Sequence, residues 1–473
     1  MSDTLIAKTA CELVELLEAR EIEPGDLLDA LEARISDVDG PINALPTLCF
    51  ERARAAVETA RVQGGHAGPL FGLPVAIKDL ADVSGVRSTQ GSKIYEHAVP
   101  ETSDILVERI EARGGVVYAK SNTPEFGAGA NTFNDVFGAT RNPWDTRMSA
   151  AGSSGGAAAA LATGAAWLAH GSDLGGSLRN PASFCGVVGM RPSPGRVART
   201  PSAILDDTLS VDGPMARTVA DLALFLDAMT GEHAGDPISL PSDGTSYLAA
   251  AHDAEKPLRV AFSPDLGITP VDAEVAEIIK GAAEAFAASG IVVEEAAPDL
   301  SGVHECFNAL RAVSFATGLA PLLKDHRDML KPEVVWNIEA GLKLSCEDIA
   351  RAERQRVEYC ARRQAFFETY DILLTPATIV PPFPVEQRYV ESCNGVQFDN
   401  YVHWLSIAYA VTIMACPSIA IPAGFTEAGL PVGIQVVANA HDDAGAIRAA
   451  AHLERVLGLG AVTPMTPRVT HAV

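Results

Sequence analysis

The chain has 473 residues, 48% of them hydrophobic and 20% charged, the composition of a folded globular protein rather than a disordered one. Its formal charge of −24 repels phosphate backbones, which argues against direct nucleic-acid binding and disfavours anionic membranes. The eight cysteines form no C-x-x-C pair and the eleven histidines no H-E-x-x-H, so no metal or cofactor is expected. Scattered cysteines of this kind suit a reducing, cytoplasmic setting.

In chain order, leucine and valine at three-to-four spacing predict helices over Cys11–Arg20 and Pro24–Val38, and an alanine-rich one over Phe50–Val62. Gly72–Lys78 reads as a short buried strand ending in a lysine. Asp104–Arg113 is an amphipathic helix closed by Gly114-Gly115, and Val116–Lys120 a second strand. Helix and strand alternating over short connections predict an α/β fold: one large domain with a central mixed β-sheet covered by helices on both faces. Further on, Thr218–Met229 and Asp272–Ser289 are predicted helices, and Leu258–Phe262 a strand. Val303–Arg363 is predicted to be mostly helical, an insertion near the site. Asp371–Pro376 and Pro431–Val437 return to strand patterns, and Ala444–Leu457 closes the chain as a helix. Two apolar stretches, 157–169 and 404–425, are too short or too broken by proline to read as membrane spans.

Chemistry concentrates in two glycine–serine clusters, Gly152-Ser-Ser-Gly-Gly156 and Gly171-Ser-Asp-Leu-Gly-Gly-Ser-Leu-Arg179. Neither fits a phosphate-binding G-K-[ST] loop nor the G-x-G-x-x-G fingerprint. The first does fit the nucleophile elbow G-x-S-x-G, centred on Ser154, but Trp144–Met148 ahead of it reads as a poor strand and no histidine announces itself as a partner. In the second, Asn180 and Pro181 look like the N-cap and first residue of a helix, which sets Ser177 just before it. Glycine-rich backbone there lets several N–H groups converge on one anion.

These clusters, with Pro181–Pro192, Gly72–Asp79, Ala119–Phe126, Asp371–Pro376 and Pro417–Gln435, resemble the amidase signature family of serine amide hydrolases. The resemblance spans most of the chain, with 1–65 as an N-terminal helical segment, 66–230 as the catalytic core and 300–365 as a variable helical insertion. It implies a Ser-cisSer-Lys triad in which Ser177 is the nucleophile, Ser153 the bridge and Lys78 the base. It implies an oxyanion hole of backbone N–H groups on Leu174, Gly175, Gly176 and Ser177, with Asp173 and Arg179 bracing the loop and Ser154 in a supporting role. Ala150-Ala151 departs from the family's Pro-Gly, and Ser121, Leu174 and Met190-Arg191 are further departures that remove no catalytic atom.

A strand-end lysine is ordinarily a surface residue with a buried stem. Its ordinary pKa of about 10.4 makes it useless as a base at pH 7, so the implied role demands burial that lowers it. Lys120 is expected to be structural and Cys185 a core thiol. Implied substrate-contacting residues are Phe126, Gly127, Ser153, Tyr401, His403 and Trp404, with Phe307 also near the pocket and Phe133 and Tyr409 as core filler. Aromatic and apolar walls suit anilides, aryl or aliphatic amides, lactam oligomers, hydrazides or carbamates. The expected partner is a small-molecule amide, with no nucleic acid and no membrane, and a homodimer left open. Two alternatives stand beside this: the A subunit of a glutamine-dependent tRNA amidotransferase, and a non-hydrolytic anion-binding protein.

Overall fold

The structure, a computed structural model, describes residues 2–65, 68–200, 203–242, 244–253, 259–460 and 462–470. Residues 66–67, at the expected start of the catalytic core, and Leu258, expected to open a strand, lie outside them.

An eleven-stranded mixed sheet runs through the molecule. Its strands are β1 (Thr47–Leu48), β2 (Pro74–Lys78), β3 (Val116–Ser121), β4 (Leu168–Asp173), β5 (Val188–Arg191) and β6 (Val211–Ala216), then β7 (Arg259–Phe262), β8 (Val292–Glu295), β9 (Ile372–Pro376), β10 (Ser418–Phe425) and β11 (Pro431–Ala438). The spatial order is β1-β3-β2-β4-β6-β5-β10-β11-β9-β7-β8. β2 lies between β3 and β4, parallel to both, and β4 to β11 are joined through antiparallel ladders. Strand β2 is buried along its whole length, as a parallel strand covered on both faces should be. The expected mixed sheet among helices is therefore the architecture observed.

Helices α1 (Pro24–Val38) and Phe50–Val62 fall where their periodicity places them, while Thr218 and Asp272 are side-chain N-caps of the helices that follow them. Three elements differ from expectation. Asp145–Ser149 is a strand, although it lies outside the main sheet, in a hairpin with Arg141–Asn142 and a single antiparallel bridge from Met148 to Pro384. The helix α2 (Arg179–Cys185) starts two residues early, with Leu178 at its N-cap, so Pro181 sits in its first turn and Asn180 is not the cap. Strand β6 was not expected, because Val211-Asp-Gly-Pro-Met-Ala216 carries Gly and Pro in its centre. It forms because β4 pairs along its whole length, while β5 pairs only with Met215 and Ala216, which leaves Pro214 beyond the end of that ladder.

The insertion is a layer of three helices, α3 (Val303–His326), α4 (Pro332–Leu342) and α5 (Cys346–Phe367), in which α3 packs on both others. Among the described residues one helical run, 303–329, is long and apolar enough to cross a membrane by length and composition. The stretches at 157–169 and 404–425 are instead divided among helix Gly155–Thr163, β4, helix Ser406–Ile413 and β10.

Candidate active site

Parallel strands β2 and β4 end side by side, the position at which open α/β sheets form binding crevices. Lys78 closes β2 and is fully buried. Its Nζ lies 2.6 Å from Ser153 Oγ, 2.9 Å from Ser154 Oγ and 3.0 Å from Ser172 Oγ. Burial drives its pKa down to about 7, against the pull of Asp212 and Asp173, which favour the charged form. Three hydroxyls match the three donors of an ammonium. Once a proton is lost, two remain donors and the third faces a lone pair.

Ser153 reaches the lysine from a loop that follows the Asp145–Ser149 strand. Ala151 has φ +55° there, donates its N–H to Ser149 Oγ and accepts from Thr132, and the Gly152–Ser153 peptide is cis. Ser154 therefore sits on a loop leading from a side hairpin rather than on an elbow from the main sheet. Its Oγ belongs to the lysine cluster, consistent with a supporting role. The residue missed in the sequence is Ser172. Alternation along β4 turns it toward Lys78, and the only available signal was a hydroxyl beside Asp173 in the second cluster.

After β4 the chain turns through Leu174–Ser177. Gly176 has φ +105°, and a Cβ there would come within 2.6 Å of Ala408 Cβ, so the turn requires glycine. Asp173 organises this turn from beneath. It accepts from the N–H groups of Gly176 at 2.9 Å and Leu178 at 3.2 Å, and pairs with Arg179 through Nε and Nη2 at 3.0 and 2.9 Å. Burial alone would raise the Asp173 carboxyl, but the charge and hydrogen bonds of Arg179, with Arg191, hold it well below the usual carboxylate range. Arg179 in turn donates to Ala408 O and to Gln435 Oε1 of β11.

The expected four-donor oxyanion hole needs correction at Gly176, because its N–H is spent on Asp173. Among the described residues, no protein acceptor is recorded for the N–H groups of Leu174, Gly175 and Ser177, which leaves those three as donors. Phe307 stacks on Tyr409 at 4.0 Å and backs Gly175, so both are core aromatics behind the loop.

A cavity of about 100 Å³ opens over the site, with Ser153, Ser172, Ser177, Leu174 and Gly175 on one side. Phe126 and Gly127, expected substrate contacts, line it, and a Cβ on Gly127 would stand 3.4 Å from Ser153 Oγ. Arg311, Phe315 and Leu405 complete its far wall. Tyr401, His403 and Trp404 do not line it, contrary to expectation. Tyr401 is buried and accepts from Arg311 Nη2 at 2.9 Å and from Asn337 Nδ2. Trp404 is buried against Phe184 and Phe383. His403 stacks on His304 and Phe398. Tyr401 and Trp404 turn their rings into the core while His403 stays half-buried, and the wall falls instead to Leu405 and to α3. Phe133 is half-buried beneath the cations of Lys331 and Arg388.

Lys120, the other strand-end lysine, pairs with buried Asp79 at 2.8 Å and donates to Ser88, a structural placement. Cys185 is buried and its thiol is pushed well above the usual range by burial, the opposite of a nucleophile. Among the described residues no cluster of three or more His, Cys, Asp or Glu is disposed to hold a metal ion.

Comparison with known proteins gives a consistent set of likenesses. The family model "Amidase" matches residues 26–446. An acylamidase of Rhodococcus erythropolis is 35% identical over 454 residues, covering 95% of each chain. The A subunit of a glutamyl-tRNA(Gln) amidotransferase from Moorella thermoacetica is 34% identical, covering 94% of this chain and 96% of its own. Among solved structures, a bacterial aryl acylamidase of the amidase signature family superposes with a TM-score of 0.90 at 26% identity, covering 97% of this chain and 99% of its own. A 6-aminohexanoate cyclic dimer hydrolase bound to its substrate superposes with a TM-score of 0.87 at 27% identity, covering 98% and 99%.

Proposed function

The chain belongs to the amidase family and is a hydrolase of amide C–N bonds; from that premise we propose that Lys78, Ser153 and Ser177 carry the reaction on a small carboxylic acid amide. The observation that carries this assignment is the buried Lys78 Nζ, 2.6 Å from Ser153 Oγ, with a pKa near 7. Neutral Lys78 accepts the Ser153 proton while Ser154 and Ser172 hold its two remaining N–H bonds. Ser153 accepts the Ser177 proton as Ser177 Oγ attacks the carbonyl carbon. The N–H groups of Leu174, Gly175 and Ser177 receive the oxyanion. Collapse returns a proton through Ser153 to the leaving amine and forms the Ser177 acyl-enzyme. Water, deprotonated by the same relay, then adds to the acyl carbon, and the acid leaves as Ser177 recovers its proton.

The likeness to amidotransferase A subunits carries a second reading, a glutaminase that works with partner subunits. A third, non-hydrolytic anion binding, falls with the family assignment. Free cysteines throughout the described residues support a reducing, cytoplasmic setting. The test is amine release by the isolated chain from an anilide, an aliphatic amide, glutamine and an aryl carbamate. Turnover of an anilide or aliphatic amide is expected, falling by at least about 10⁴-fold in Ser177→Ala and about 10²–10⁴-fold in Lys78→Ala. Activity on glutamine alone would favour the amidotransferase reading, and activity surviving without Ser177 would overturn the mechanism.

A further inference from the structure

Among the described residues, Arg311 is the sole charged side chain lining the catalytic cavity. It projects from α3, is only 6% exposed, and its guanidinium carbon lies 4.4 and 5.5 Å from the ring centroids of Phe315 and Tyr401. Its recorded hydrogen-bond acceptors are neutral: Asn337 Oδ1 and the Tyr401 hydroxyl. No carboxylate of the described residues stands within ion-pair distance of it. The Glu333 carboxylate of α4 is engaged at 2.8 and 2.6 Å by Arg388.

A buried cation without a counter-charge is expensive, and two neutral acceptors satisfy only two of five N–H donors. Packing between rings offsets part of that cost but supplies no negative charge. Beside the catalytic serines and the neutral hydroxyl of Ser210, the walls of the cavity are mostly apolar, with Leu80, Phe126, Leu174, Phe315 and Leu405. Such a pocket orients its ligand through the few polar groups it holds. The guanidinium fork is the side chain best shaped for a carboxylate.

We propose that the catalytic cavity selects amides carrying a carboxylate a short distance from the scissile bond, with Arg311 as the group that recognises it. This deepens the hydrolase reading and rests on it. Arg311 and Ser177 line the same cavity of about 100 Å³, which points to a short span between the two groups. Because no carboxylate lines the cavity, the α-ammonium of free glutamine finds no partner, so the preferred anion is one without a neighbouring ammonium. The carboxylate can belong to the acyl side, as in the monoamide of a short dicarboxylic acid, or to the amine side, as in an N-acyl amino acid.

The experiment compares kcat/KM for succinamate with butyramide and for N-acetylglycine with N-ethylacetamide, in wild type, Arg311→Met and Arg311→Lys. The pair that shows the preference identifies the side. At least one anion should be favoured by about tenfold or more, the scale of a charge-assisted hydrogen bond. Arg311→Met should abolish the preference, mainly through KM, with the loss on each anionic amide at least about tenfold greater than on its neutral partner. Arg311→Lys should retain part of it. Glutamine should be a poorer substrate than glutaramate. Equal use of both members of each pair by wild type, with anilide and butyramide still hydrolysed, overturns this proposal and leaves the hydrolase reading intact. An equal loss on anionic and neutral amides in Arg311→Met would make Arg311 a packing residue only. Calorimetric binding of succinamate and N-acetylglycine to Ser177→Ala tests the proposal without turnover, and failure of both to bind overturns it.

Discussion

The fold removes water from Lys78 and so favours its neutral form, and in the proposed mechanism that gives activity a defined pH dependence. Its pKa stands near 7, below its ordinary 10.5, and the unprotonated form is the base. We therefore expect kcat/KM to rise with pH through a midpoint near 7 and to fall about tenfold per unit below it. A flat pH–rate profile between pH 5 and 9 would contradict this. At Asp173 the prediction concerns stability as well as rate. Arg179→Met leaves a buried carboxylate with one charged neighbour fewer and should cost about 3–5 kcal/mol, read as a fall in denaturation midpoint. Gly176→Ala meets both an unfavourable φ of +105° and Ala408, so it should lower kcat by more than about 10² wherever it still folds. Lys78, Ser153 and Ser177 could be singled out in the sequence as the proposed relay because residue type and motif coincide. Ser172 and the capture of the Gly176 N–H were not, because both depend on where strand β4 sets its neighbours in space.

At the scale of elements, the site is closed by pieces that are far apart in the chain. Lys331, at the start of α4, donates its N–H to Glu125 and its Nζ to Ala128 O, clasping the insertion to the loop that carries Phe126 and Gly127. Gly341 of α4 packs so closely on α3 that a Cβ there would lie 2.1 Å from Ala312 O. Gly341→Ala should push α3 outward beside Arg311, raising KM several-fold with a smaller change in kcat, which steady-state kinetics would read. Long helices were legible from their periodicity and caps. Strand β6 was not, since its Gly and Pro oppose a strand locally and only pairing with β4 overrides them. The wall residues were misplaced for a related reason: an aromatic run such as Tyr401–Trp404 announces burial but not which side of the core it faces.

At the scale of the whole molecule, the sheet order decides what can fold alone. The C-terminal strands β10 and β11 lie in its interior, joining β5 to β9. Gln435 of β11 also holds Arg179 and donates to Pro376 O and Ile407 O. A fragment of residues 1–230 would expose β5 where β10 belongs, and should show no cooperative unfolding transition in denaturant; a sharp one would contradict this. By itself the sequence determined the α/β class and the family likeness and named the residues of the proposed relay, because these follow from local periodicity and from residue types in fixed motifs. Only the tertiary structure decided that Lys78 is dry enough to act as a base, that Asp173 takes one oxyanion donor for itself, and that Arg311 rather than Tyr401 faces the cavity. Each of those depends on burial and on contacts between residues distant in the chain, and neither is written in local spacing.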